Sequence, residues 1–75
     1  MITGDKWRQR ITCDSELHHG EPCVTGTRIA VAVLVASLAE MAMADLLKEY
    51  PQLNREDIQA AILYAAEAAH STLVV

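Results

Sequence analysis

The chain has 75 residues, enough for one domain and short of the roughly 100–200 that domains commonly span; at this size only about 60% of the unfolded chain's surface is buried on folding. Six basic residues face ten acidic ones for a formal charge of −4, and 52% of the residues are apolar. That balance argues against charge-driven, non-specific nucleic-acid binding by the body of the chain, and so large an apolar share in so small a domain predicts a second copy covering the surplus, a homodimer.

Residues 1–8 lack the apolar stretch of a secretory leader. The longest apolar run, residues 29–36, falls well short of the roughly 20 residues that span a bilayer. Cys13 and Cys23 are too few for a disulfide framework. The expectation is a cytoplasmic protein with reduced thiols and no membrane association. Residues 1–9 read as a flexible basic arm, anchored only by Trp7, because Lys6, Arg8 and Arg10 are opposed there by Asp5 alone. From Ile11 onward three basic residues meet nine acidic ones, a formal −6, which suits a basic protein partner.

Polar and apolar residues alternate over 10–14 with β-branched members, predicting a short strand. Residues 15–22 form a polar loop punctuated by Gly20 and Pro22. A second strand is expected over 23–29, broken at Gly26, where a positive φ is tolerated. The first helix runs from about 31 to 39, with Val31, Leu34, Val35 and Leu38 on one stripe and little polar surface elsewhere. Such a helix is buried on most sides, so this stripe is assigned to a dimer or partner contact. The second helix spans 43 to about 50, with Leu46 and Leu47 inward, and Pro51 ends it. Asn54 caps the third, with Asp57 in the acid position of a capping box. Its inward face is Ile58, Ala61, Ile62, Ala65 and Ala69, to about residue 70, and residues 71–75 are left as an apolar tail. Three helices with a tight break over 50–54 follow a helix-turn-helix-like plan, so the fold class is mainly α, a trihelical core with short N-terminal strands over 10–70.

Cys13, His18, His19 and Cys23 invite a zinc reading, but adjacent histidines rarely both ligate one ion and the cysteine spacing does not match structural sites. Cys13 reads instead as a small core residue in phase with Ile11. The same residues carry no catalytic reading, since a chain this small supplies no pocket of several hundred Å³. No enzyme activity, metal or cofactor is expected. Asp14 and Arg28 are placed to pair across the two strands, against the alternative of two solvated charges. If DNA is bound, Asn54, Arg55 and Gln59 at the start of the third helix would face base edges, although Glu56 and Asp57 there repel phosphates. Lys6, Arg8 and Arg10 are the better phosphate contacts. Leu73, Val74 and Val75, with Ala60, Leu63, Tyr64 and Ala68, are the candidates for partner contact or for the homodimer itself.

Arg10-Ile11-Thr12-x-Asp14, then Gly20-x-Pro22-x-x-x-Gly26-Thr27-Arg28-Ile29, then Tyr50-Pro51-x-Leu53-x-x-Glu56-Asp57-Ile58-x-Ala60-Ala61-x-x-Tyr64-Ala65 closely resemble a bacterial and archaeal family, domain of unknown function 433. The resemblance implies a winged-helix-like or homeodomain-like helix-turn-helix module, usually homodimeric. It also implies an antitoxin role similar to that of the VapB group: binding a PIN-like ribonuclease toxin and repressing its own promoter at operator DNA. Asp14, Gly26, Thr27 and Arg28 are then structural members of the motif. The sequence departs from the family at Ala30, where proline is usual, at Glu40, where glycine commonly ends the first helix, and at Ala42-Met43 in place of a serine-proline cap. With those stops missing, the first two helices are expected to run closer to continuous.

Overall fold

The computed structural model of the chain describes residues 6–13 and 20–73, with side chains through residue 70. A 3-10 segment, Lys6–Arg10, leads into β1 (Ile11–Thr12) and β2 (Cys23–Val24), and three helices follow, α1 (Val31–Ser37), α2 (Met43–Glu49) and α3 (Arg55–Leu73). The strands pair antiparallel, Ile11 opposite Val24 and Thr12 opposite Cys23. The chain is mainly α, a trihelical core with a two-stranded sheet at its N-terminal side.

The Gly-Thr-Arg-Ile block is the turn that aims α1. Thr27 N–H donates to the Val24 carbonyl at 3.0 Å, Val24 N–H to the Ile29 carbonyl at 3.0 Å, and Val31 N–H to the Pro22 carbonyl at 2.9 Å. Gly26 sits at φ 81°, the positive value that a type II turn needs at its third residue. The Thr27 hydroxyl donates to the Val24 carbonyl at 2.8 Å and accepts from Ile29 N–H at 3.0 Å, closing the turn from inside. Cys23 and Ala30 then form an isolated antiparallel bridge, and α1 starts immediately after it.

The core gathers Val24, Val31, Leu34, Leu46, Leu53, Ile58 and Ala61, with Leu34, Leu46 and Ile58 fully buried. Each helix contributes at least one residue, so the two seven-residue helices α1 and α2 are held by packing on α3 and on each other. Val31 and Leu34, assigned from the sequence to a dimer contact, therefore belong to the protomer's own interior; Val35 and Leu38 are partly buried against it. The α3 helix is long enough to cover the apolar face of α1 without a second chain.

Several boundaries differ from expectation: the second strand, predicted over 23–29, is confined to Cys23–Val24, and α1 ends at Ser37, short of 39. Residues 6–9 of the proposed flexible arm, together with Arg10 from the expected first strand, form the 3-10 segment, in which Trp7 is buried, 6% exposed. The break between α1 and α2 survives the missing glycine and cap. The end of α1 tightens through short-range bonds, Ala39 N–H to Ala36 and Glu40 N–H to Ser37, and Ala42 turns extended at φ −72°, ψ 158°. And α3 continues to Leu73, so residues 71–73 extend the helix instead of forming a tail. Among the described residues no helix is long and apolar enough to cross a membrane.

Candidate functional site

The features with chemical interest converge on α3. Asn54 and Asp57 form a reciprocal capping box. Asp57 N–H donates to Asn54 Oδ1 at 2.9 Å and Asn54 N–H donates to Asp57 Oδ2 at 3.0 Å, so the shorter acid completes its half as well as the usual glutamate would. The other carboxylate oxygen of Asp57 is also taken: Arg10 Nη1 donates to Oδ1 at 3.0 Å, with the Asp57 side chain 13% exposed. One acid thus caps the helix and tethers the 3-10 segment.

A second tether lies nearly three turns further along α3. Arg8 Nη1 donates to Glu67 Oε1 at 2.7 Å and Arg8 Nη2 pairs with Oε2, a fork-on-fork arrangement of the kind guanidinium and carboxylate favour. The same guanidinium lies 4.5 Å over the Trp7 ring, a cation–π geometry. Arg8 holds the Glu67 carboxyl below its ordinary range, chiefly through that hydrogen bond. The segment is pinned at Arg8 and Arg10 with Trp7 buried beside them, so two of the three predicted phosphate contacts are engaged with carboxylates; Lys6 is exposed.

At the N-terminal turn of α3, Asn54 and Arg55 are exposed while Gln59 is half-buried. Gln59 Oε1 is enclosed and finds no hydrogen-bond partner among the described residues, so this side chain does not project as a base reader. Packing of the 3-10 segment on α3 also moves the helix's buried face. Ala60 and Ala61 are wholly buried and Tyr64 half-buried, whereas Ile62 and Leu63 are each 39% exposed and Ala69 is exposed. The inward assignment of Ile62 and Ala69 and the partner assignment of Ala60 are both corrected by this shift. Leu63 and Ala68 are exposed as partner candidates should be.

The two thiols differ in exposure, and the core assignment of Cys13 is corrected. Cys23 is buried at 2% exposure and its thiol is pushed above the ordinary value, first by burial, then by Glu21 and Cys13. Cys13, expected in the core, is exposed because β1 ends at Thr12. Its thiol donates to the Gly20 carbonyl at 2.9 Å. Burial raises the Tyr64 hydroxyl, helped by the charge of and a hydrogen bond with Cys13 and by Glu67. A further polar seam joins the strands: Thr25 Oγ1 donates to the Gln9 carbonyl at 3.0 Å and so accepts from Thr12 Oγ1 at 2.8 Å. Among the described residues no group of three or more His, Cys, Asp or Glu side chains is placed to hold a metal ion. Asp14, His18, His19 and Val74, and the side chain of Leu73, lie outside the described residues, so the Asp14–Arg28 pair does too; Arg28 itself is exposed.

These features define a small trihelical module whose N-terminal segment is strapped to its last helix. The chain belongs to the family described as "Protein of unknown function (DUF433)", matched over residues 11–65. No curated protein and no solved structure matches it.

Proposed function

We propose that the chain is a non-catalytic protein-binding module that works as an antitoxin, covering a basic PIN-like ribonuclease. The observation that supports this most is the engagement of Arg8 and Arg10 with Glu67 and Asp57. With those arginines paired to carboxylates, the other charged side chains described after residue 20 are Glu21, Glu40, Asp45, Glu49 and Glu56 against Arg28, Lys48 and Arg55, an acidic excess of two. An acidic surface of that kind repels phosphate and steers a basic protein. The experiment is co-expression with the product of the adjacent gene. The antitoxin reading expects co-purification and relief of growth arrest, and it is abandoned if the partner neither co-purifies nor loses toxicity.

A second reading, binding to the upstream promoter, is favoured by the order α2, turn, α3 and by exposed Asn54 and Arg55 at the head of α3, the position from which recognition helices reach base edges. A gel shift with the upstream DNA, against a scrambled duplex of equal length, separates it from a purely protein-binding role.

A further inference from the structure

The segment Lys6–Arg10 occupies a face of α3 that is set apart from the core. Asp57, Ala60, Tyr64 and Glu67 recur at the i, i+3, i+7, i+10 spacing of one helical face, which puts the two carboxylates about 15 Å apart along the axis. Arg10 takes the first carboxylate and Arg8 the second, and Ala60 between them is wholly buried. Trp7, the only tryptophan of the chain, is 6% exposed in this segment. Neither Trp7 nor Ala60 belongs to the core cluster, so the indole is buried in a satellite of the core.

We propose that this face is a docking site for an aromatic–basic segment of a partner protein, and that residues 6–10 are its resident stand-in. The segment spells out the chemistry of the ligand: an aromatic ring to bury, an arginine beside it for Glu67, and a second arginine two residues on for Asp57. Three observations make the stand-in replaceable. First, its tethers lie near the surface, with the side chains of Arg8, Glu67 and Arg10 47%, 50% and 38% exposed, and ion pairs so open to water exchange at little net cost. Asp57 keeps its capping bond through the other carboxylate oxygen when Arg10 leaves. Second, the backbone is a 3-10 turn, with poorer hydrogen-bond geometry than an α-helix, joined to the sheet where Thr25 donates to the carbonyls of Arg10 and Gln9. Third, the segment lies outside the stretch matched to the family, which begins at residue 11, and the core cluster contains none of its residues. A partner segment of the same pattern therefore gains what the strap gives up, ring for ring and guanidinium for guanidinium, without opening the core. The carboxylates at both ends of the site favour a basic segment over nucleic acid, whose phosphates they repel.

The unaltered chain carries its own reporter, since no second tryptophan masks Trp7. A peptide of residues 6–11 with phenylalanine in place of the tryptophan should displace the strap and shift Trp7 emission to the red. Covalent attachment gives the strap an effective concentration on the order of millimolar, so the titration must pass that value. The same peptide in scrambled order should leave the emission unchanged. Trp7→Ala combined with Arg8→Ala opens the site and should bind a labelled peptide of residues 6–11 at least tenfold more tightly than wild type does, a gain that Glu67→Gln removes. If the opened variant loses its helical spectrum, the Trp7 titration decides alone. No red shift beyond the millimolar range, a shift that the scrambled peptide matches, or one produced by a generic DNA duplex and not by the peptide would each overturn the proposal. So would a folded, opened variant that gains no affinity, or a gain indifferent to Glu67→Gln. The site does not depend on the antitoxin reading: displacement of Trp7 by the peptide, together with failure to capture the product of the adjacent gene, would remove that reading and leave this one standing.

Discussion

Gly26 is a residue whose necessity comes from conformation alone. A Cβ added there would meet nothing within 4 Å, yet φ is +81°, a region that costs an L-residue about 1–2 kcal/mol. Gly26→Ala is therefore expected to destabilise by about that amount, and Gly26→Asn by less, since asparagine tolerates left-handed conformations better. Urea titration checks it, and equal midpoints for wild type and Gly26→Ala would refute the turn assignment. Glu67 gives a second residue-scale expectation. Its folded-state carboxyl titrates below its ordinary value because of Arg8, so the contribution is present above the unfolded value and is lost as pH falls through the folded one. Glu67→Gln should narrow the stability difference between neutral pH and about pH 3, and a pH profile identical to wild type would show that the pair contributes nothing. Gly26 was legible from the sequence because a glycine that interrupts β-branched residues marks a bend in the backbone. The Arg8–Glu67 pair was not, since 59 residues separate its members and no local pattern joins them.

Among the elements, helix positions were legible and their faces less so. Asn54 with Asp57, and Pro51 after Tyr50, are local signals, and α2 and the start of α3 fall where those signals put them. The face of α3 was misassigned because periodicity specifies a stripe but not which neighbour covers it. Once Trp7 brings the 3-10 segment onto the helix, Ala60 goes inward and Ile62 comes out. The α1–α2 break likewise survives without its usual residues, because Leu46 enters the core only if the chain turns at Ala42. Ala30 shows the converse case, a departure from the family that the fold would accept in either form. Its φ is −73°, within the range proline fixes, and its N–H makes no hydrogen bond among the described residues. Ala30→Pro should thus stabilise by about 0.4–1 kcal/mol, chiefly by restricting the unfolded chain. Thermal unfolding would register it, and a fall in Tm would mean that Ile29 cannot adopt the extended backbone proline demands of its predecessor.

At the scale of the whole molecule, the sequence showed an acidic body and a basic arm, but only the fold shows the one folded onto the other. Arg8, held at both Nη atoms, can present that fork to phosphate only by leaving Glu67. Arg10 can do so only by sharing its guanidinium with Asp57 or leaving it, so DNA binding competes with the strap. Releasing both arginines should then convert a poor DNA ligand into a better one. Asp57→Asn combined with Glu67→Gln is expected to raise affinity for a generic duplex and to steepen the dependence of log K on log salt by up to about two, near 0.9 for each phosphate neutralised. Asp45→Asn combined with Glu49→Gln changes the net charge equally but touches no described ion pair, and should raise affinity with little change in slope. Fluorescence anisotropy across a salt series distinguishes the two double variants. If their slopes coincide, the arginines are not phosphate contacts in waiting, and the strap serves only to hold Trp7 against α3.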